Sequence, residues 1–349
     1  MKKKVLAVLK YMLFLSVGLA LLYLALRGLD LNLIVEEFKN AKYVWILLSL
    51  VPGFIALVSR SIRWGILIRE LGYDSKPGAT FHATIMGYFA NIIFPRLGEV
   101  ARCTALSRSQ NIPFNSLFGT VIAERIFDLL CLAIIAFVVI IAQFGFLREF
   151  LETLIWIPLT SKIPSNAWLI AVLGLGVLLA LVLFYFLLRF SMVYIRKLTF
   201  YRKIKDLFIG FLAGITSIMK LKRKKAFLVH TLIIWGMYFL MSYIPFRALQ
   251  ATEHLTLIDG TTLLMMGTLG FVIPVPAGIG AYHYIVTKTL TELFGIVSES
   301  AASFAVLVHA SQLVLIIFIA IFSFAYFLTR KNKPLNVKIR NHSEKNFKS

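Results

Sequence analysis

The stretch "NIIFPRLGEVAR", Asn91 to Arg102, decides how this sequence is read. With "FHATIMGYFA" before it, the apolar part is long enough to enter a bilayer. It is too short to cross about 30 Å of hydrocarbon, which takes roughly 20 helical residues. Pro95, Arg96, Gly98, Glu99 and Arg102 then arrive inside eight positions. Proline removes a backbone donor and clashes with the preceding turn, and glycine weakens a helix. A second stretch repeats the pattern at 260–294, "GTTLLMMGTLGFVIPVPAGIGAYHYIVTKTLTELF", with Pro274, Pro276, Gly278 and Gly280 near its middle. Backbone groups freed by such breaks find no water in lipid, so broken helices persist at membrane depth only inside protein or beside a wet cavity. Both stretches therefore predict interrupted segments within a helical membrane protein.

The surrounding sequence supplies the uninterrupted spans. The chain has 349 residues, 59% of them hydrophobic, and a mean hydropathy of +0.84, which suits a polytopic membrane protein. Apolar runs of spanning length fall at 6–26, 44–68, 117–143, 167–188, 227–249 and 302–328. The expected fold is all-α: about six transmembrane helices plus two Pro/Gly-broken re-entrant segments at 79–107 and 260–294. That makes eight membrane segments by hydropathy, an order compatible with an inverted repeat. Residues 1–329 read as one membrane domain and 330–349 as a basic cytoplasmic tail. The N-terminal apolar run is too long for a signal peptide's core and reads as an uncleaved first span.

The net charge of +21 does not point to nucleic acid, because Lys and Arg cluster at the ends of apolar runs and no aromatic-interleaved basic motif is present. Lys2, Lys3 and Lys4 place the N-terminus in the cytoplasm. If both broken stretches leave on the side they enter, every strongly basic segment is cytoplasmic, including the "KLKRKK" loop at 220–225, and so are both termini. Within the basic segment 189–225, Phe200, Ile204, Leu207, Phe208 and Phe211 recur at helical spacing and predict an amphipathic helix on the leaflet surface. Cys103 and Cys131 read as small buried hydrophobes. The six histidines lack metal-ligand spacing, so neither a metal nor a cofactor is expected.

Charge inside the membrane segments is costly, so it marks partners or a cavity. Glu99 and Arg102 stand at i, i+3 and can pair on one helix face. In "VIAERIFDLL", Glu124 and Asp128 share a face, with Arg125 between them. A helix starting near Pro95 would turn free N–H groups inward, a setting suited to an anion, and the Gly278–Gly280 turn could present donors likewise. The candidate headgroup cavity thus comprises Asn91, Pro95, Arg96, Gly98, Glu99, Arg102, Glu124, Arg125, Asp128, Pro276, Gly278, Gly280 and His283. The bland alternative for Glu99 and Arg102 is a pair at the membrane interface that merely stops the segment. For Glu124, Arg125 and Asp128 it is a neutralised triad locking the third span to its neighbours, with Arg125 compensating the two acids. For His283 it is a helix-packing hydrogen bond. No catalytic residue is assigned.

Three motifs, in order, resemble the flippase-like membrane family known from the transmembrane region of lysylphosphatidylglycerol synthase. They are N-x-x-x-P-x-x-x-E-x-x-R at Asn91–Arg102, E-R-x-x-D at Glu124–Asp128 and P-x-G-x-G at Pro276–Gly280. The family commonly carries an acid shortly after the last glycine, where this chain has His283. The resemblance covers about residues 5–330 and implies a multi-pass protein of the bacterial inner membrane. Such a protein would bind or translocate an anionic or modified phospholipid or a polyprenyl-linked lipid, either alone or as a homo-oligomer. Many family members carry a soluble aminoacyl-transferase domain for which this chain has no room, and it has no ATP-binding motif, so an enzyme is not the leading expectation. The rival readings are a lipid-headgroup or polyprenyl-phosphate transferase using Glu99, Glu124 or Asp128 as base, and a membrane subunit without transport activity.

Overall fold

A computed structural model describes residues 2–143 and 221–329, with side chains from Tyr11 onward in the first helix. Ten α-helices run through the described residues: α1 Lys2–Leu26, α2 Leu31–Asn40, α3 Tyr43–Glu70, α4 Pro77–Ile93, α5 Gly98–Gln110, α6 Phe114–Ala142, α7 Lys224–Tyr243, α8 Leu257–Val272, α9 Ala281–Lys288 and α10 Ser298–Thr329. The chain divides into one compact unit, Met1–Ile135 with Lys220–Ser349, and a second, Ala136–Met219. Of the second unit, the described part is the end of α6 and Gln143. The predicted span at 167–188, the amphipathic helix of the basic loop and the tail at 330–349 lie outside the described residues.

Four helices are long and apolar enough to cross a membrane: α3, α6, α10, and α7 with its 3-10 extension to Ala248. The pair α1–α2, bent by 85°, makes a fifth candidate. Their bounds follow the apolar runs read from the sequence. Large apolar side chains stand exposed along α6 (Leu129, Ile134, Phe137, Ile141) and α10 (Val314, Phe318, Ile321, Phe322). Water would not tolerate so continuous a band, whereas lipid covers it. The protein is a polytopic membrane protein.

Local chemistry sets the helix ends. Asp30 accepts the Asn32 N–H at 2.8 Å and starts α2. Thr256 and Asp259 form a capping box at the start of α8, and Asn111, at φ 54°, ends α5. Lys42 donates to the Glu253 carboxylate, a contact that holds that exposed group below the usual carboxylate range. Beside it the Lys42 N–H meets the Ala248 carbonyl at 2.8 Å, fixing where α3 begins.

The first broken stretch is a helix pair, α4 and α5, joined by a tip at Phe94–Leu97. The pair closes tightly because two glycines meet: a Cβ on Gly98 would lie 2.4 Å from the Gly87 carbonyl oxygen. The helix expected from Pro95 begins at Gly98 instead, because Arg96 takes a left-handed φ of 63°. The N–H at that start is not free either: Gly98 donates to Asn91 Oδ1 at 2.7 Å. Asn91 therefore caps α5 from the preceding helix. Asn91→Ala should lower stability by about 1 kcal/mol, as for other lost caps, with Asn91→Asp retaining most of it. Melting of the detergent-solubilised variants measures both.

The second broken stretch has the same design. Gly270 lets α8 approach the Tyr282 backbone on α9, and the turn between them holds Ala277, Gly278 and Gly280 at φ 54°, 78° and 82°. Its donors are also spent internally, contrary to the expectation of an anion nest. Gly278 N–H meets Val275 O at 3.2 Å, Ile279 N–H meets Pro276 O at 2.9 Å, and Gly280 N–H meets His283 Nδ1 at 3.2 Å. Helix α1 crosses this turn at Gly18, packed directly on Gly280. Among the described residues the order long helix, broken pair, long helix thus occurs twice: α3, α4–α5, α6, then α7, α8–α9, α10. The two turns touch where Arg96 Nη2 reaches the Val272 carbonyl at 3.4 Å.

Candidate functional site

Two residues of α3 begin the site. Arg60 and Arg63 stand at i, i+3 on one face of an apolar helix, and they are 3% and 0% exposed. Arg63 Nη2 donates to Glu124 Oε1 at 2.9 Å and to Asp128 Oδ1 at 2.6 Å. Arg60 Nη2 donates to Asp128 Oδ2, and its Nη1 donates to Tyr238 OH on α7 at 2.9 Å. The Tyr238 hydroxyl in turn lies 3.2 Å from Tyr88 OH on α4. From α5, Arg102 Nη2 donates to Glu124 Oε2 at 2.9 Å and stacks over the Trp64 ring at 4.8 Å. Thr231 of α7 takes Arg63 Nη1 at 3.2 Å. Five helices meet in one hydrogen-bonded network.

The balance of charge in this network is uneven. Three buried guanidiniums, Arg60, Arg63 and Arg102, face two carboxylates, Glu124 at 0% and Asp128 at 13% side-chain exposure. The buried part carries one surplus positive charge. Each of the three guanidiniums also keeps a buried Nε without a hydrogen-bond partner. At the rim, Arg125 Nη2 meets Glu99 Oε1 at 2.8 Å and lies 3.8 Å from Asp128 Oδ2. Arg125 is 45% exposed and Glu99 24%. Arg125 is thus the most exposed guanidinium of the network.

The structure brings Glu99, Arg102, Glu124, Arg125 and Asp128 together, although they come from two helices. It corrects their pairing. Glu99 and Arg102 do not pair with each other; the deeper carboxylate of Glu124 takes Arg102, leaving Glu99 to Arg125. Nor is Arg125 the counter-charge for both acids, since Arg60, Arg63 and Arg102 hold them. The remaining candidates lie elsewhere. Asn91, Pro95, Arg96 and Gly98 form the α4–α5 tip, while Pro276, Gly278 and Gly280 form the α8–α9 turn. His283 is 7% exposed, and its Nδ1 holds the Gly280 N–H. Its ring lies 4.8 Å from that of His309, whose Nε2 meets the Ala277 carbonyl at 3.0 Å. These contacts close the turn and give His283 a packing role.

The sequence reading missed Arg60, Arg63, Tyr88 and Tyr238 as site residues. In sequence Arg60 and Arg63 fall near the end of the apolar run 44–68 and read as the basic flank of a span. The signal that distinguishes them is their i, i+3 spacing inside apolar sequence, several residues before α3 ends at Glu70.

Comparison with known proteins bears on this arrangement. The lysylphosphatidylglycerol synthase TM region profile matches residues 8–320. The chain belongs to that family. Among curated relatives, it is 25% identical over 331 residues to the glycosyltransferase AglD of Haloferax volcanii, covering 84% of this chain and 51% of that one. It is 32% identical over 174 residues to a UPF0104 membrane protein of Methanocaldococcus jannaschii, covering 47% of this chain and 50% of the relative. A UPF0104 membrane protein of Methanothermobacter thermautotrophicus is 29% identical over 126 residues, 34% of this chain and 37% of the relative. The chain thus spans about half the length of the first two relatives, or less for the third. No solved structure matches it. The family match contains every residue of the arginine network.

Proposed function

We propose that this protein binds the phosphate of an amphiphilic lipid at the arginine network and moves the headgroup across the membrane. The observation that carries the reading is the surplus buried positive charge, with Arg125 open at its rim. A guanidinium grips phosphate oxygens through paired N–H donors. An anionic headgroup would complete a network that the protein's own acids leave one charge short. In this reading α4–α5 and α8–α9 are re-entrant pairs entering from opposite faces. Six spans complete the fold, the halves form an inverted repeat, and both termini face the cytoplasm of a cell whose inner membrane holds the protein. Gly/Pro-interrupted segments at corresponding places in two halves accompany midplane sites in transporters. The lipid class is an anionic or modified phospholipid or a polyprenyl-linked lipid.

The name of the Haloferax relative favours a second reading, a transferase acting on a lipid-linked sugar. A general base needs a free carboxylate oxygen within reach of its proton. Here Glu124 Oε1 and Oε2 are taken by Arg63 and Arg102, and Asp128 Oδ1 and Oδ2 by Arg63 and Arg60. Of Glu99 only Oε1 is held, by Arg125, so Glu99 is the acid on which the second reading rests. Binding and movement suit Glu124 and Asp128 better than proton abstraction.

Purified protein in liposomes with headgroup-labelled lipids tests the choice. Redistribution of an unaltered lipid is expected, and a new lipid product instead would establish the transferase. Arg125→Gln should accumulate normally, because partly exposed pairs contribute about 0.2–1 kcal/mol. It should slow lipid movement by roughly tenfold, the loss of about 1.4 kcal/mol of headgroup binding. Unchanged movement by this variant would remove Arg125 from the site.

A further inference from the structure

A second cluster of cations, which shares no residue with the arginine network, surrounds a cavity of about 100 Å³. It lies between the C-terminal end of α1, the last turn of α9 with its continuation, and the start of α10. Arg27, Tyr284, Thr287, Lys288, Thr291 and Ser298 contribute its polar lining. At about 30 Å³ per liquid water, the space holds roughly three waters or one tetrahedral oxyanion of similar bulk. Thr287 is 6% exposed, and its buried Oγ1 has no hydrogen-bond partner. A buried hydroxyl in that state is unfavourable until something bonds it.

The residues that line the cavity include no acid, although three acids lie near it. Glu292 meets Lys288 at 3.0 Å and is 67% exposed. Asp30 is occupied in capping α2, and Glu299 Oε1 lies at 3.4 Å from the Asp30 N–H. Arg27 lines the cavity and is exposed. Two cations and four hydroxyls around one small space match the ligand set of a phosphate, which is all acceptor.

The cavity's place in the bundle gives this set its meaning. Helix α2 links α1 to α3 and touches the start of α10 through the Ser300–Glu37 hydrogen bond, so the cavity lies at the end of the bundle where α3 begins. Arg60 is 17 residues further along α3 than Tyr43, about 26 Å at 1.5 Å per residue. We infer that the cavity lined by Arg27, Thr287 and Lys288 is a second phosphate site, near one end of the bundle and about 26 Å along α3 from the network. Its ligand is a phosphate oxyanion, carried by a lipid headgroup or free in solution. The inference extends the proposed function by giving a headgroup a second seat along its path, and it stands on its own residues.

Binding to the full chain in detergent tests it, with inorganic phosphate and dihexanoyl phosphatidylglycerol as separate probes followed by calorimetry. The wild type is expected to take two equivalents of at least one probe. Arg27→Gln/Lys288→Gln should weaken one equivalent about tenfold and leave the other. Thr287→Val, nearly isosteric and so safe for folding, should weaken the same equivalent by roughly threefold, while Thr287→Ser should restore it. Two equivalents of phosphatidylglycerol assign the site to lipid, and two of inorganic phosphate alone assign it to a free anion; either supports the inference. Wild-type binding by both the double variant and Thr287→Val would overturn it, as would a wild type with one equivalent that only Arg125→Gln removes. Two equivalents that Arg125→Gln leaves intact, one of them lost in the double variant, would sink the arginine-network reading and spare this one.

Discussion

Glu124→Ala is expected to deplete folded protein from the membrane. Glu124 is fully buried, and three arginines converge on it: Arg63 and Arg102 at 2.9 Å and Arg60 Nε at 3.6 Å. Removing the carboxylate leaves three buried guanidiniums facing Asp128 alone, a surplus of two charges in place of one. Breaking a buried ionic group in this way costs about 3–5 kcal/mol, because the partner stays desolvated and uncompensated. That is a large part of a typical stability of about 5–15 kcal/mol. Arg102→Met alone should cost less, since Glu124 keeps Arg63. The double variant Arg102→Met/Glu124→Ala returns the surplus to one and should recover part of the loss. Accumulation in membranes and melting of the solubilised proteins give the coupling directly. If the double variant is as unstable as the sum of the singles, the charge balance does not hold the network together.

Gly280→Ala should be nearly as damaging, for a steric reason. A Cβ at this position would lie 1.9 Å from the Gly18 carbonyl oxygen and 2.8 Å from its carbon. These are backbone atoms of α1 and cannot rotate away. The residue also sits at φ 82°, where a side chain strains the backbone. Strain of about 1–2 kcal/mol and overpacking of about 1–3 kcal/mol together predict a loss of roughly 2–5 kcal/mol. Gly236→Ala is the matched control: it lies inside α7 with nothing within 4 Å of its added carbon and should cost nothing. Equal melting of Gly280→Ala and wild type would mean that α1 does not cross the turn at Gly18.

The described spans were legible because a long apolar run has one stable fate in lipid, and the two breaks because Pro95, Gly98, Pro276 and Gly280 cannot continue a helix. The outcome at each break was not legible. Gly98 looked like the start of an open helix end, yet its donor is taken by Asn91, a residue whose reach across the tip depends on how closely Gly87 admits α5. The charged site was half readable. Glu124, Arg125 and Asp128 stood out because acids inside an apolar run need partners. Those partners lay far along the chain: Arg60 is 68 residues from Asp128, and Tyr238 is 178 from Arg60. An arginine near a span's end looks the same in sequence whether it faces headgroups or a buried acid. The i, i+3 rule allowed Glu99 to pair with Arg102, but a buried carboxylate of another helix won the guanidinium.

The separation of Arg63 from Glu124 also has a consequence for how the protein is made. The two are 61 residues apart, and synthesis at about 5–20 residues per second delivers the acid roughly 3–12 s after the base. During that interval α3 holds Arg60 and Arg63 unpaired, and an arginine at a helix centre disfavours insertion by about 2.5–3.5 kcal/mol. Alone, α3 is a poor substrate for release into lipid. It gains its counter-charges only when α6 emerges, with α4 and α5 already between them. The insertion machinery therefore has to retain α3 through α6 as one group, and nascent chains arrested before Glu124 should remain beside it, unreleased.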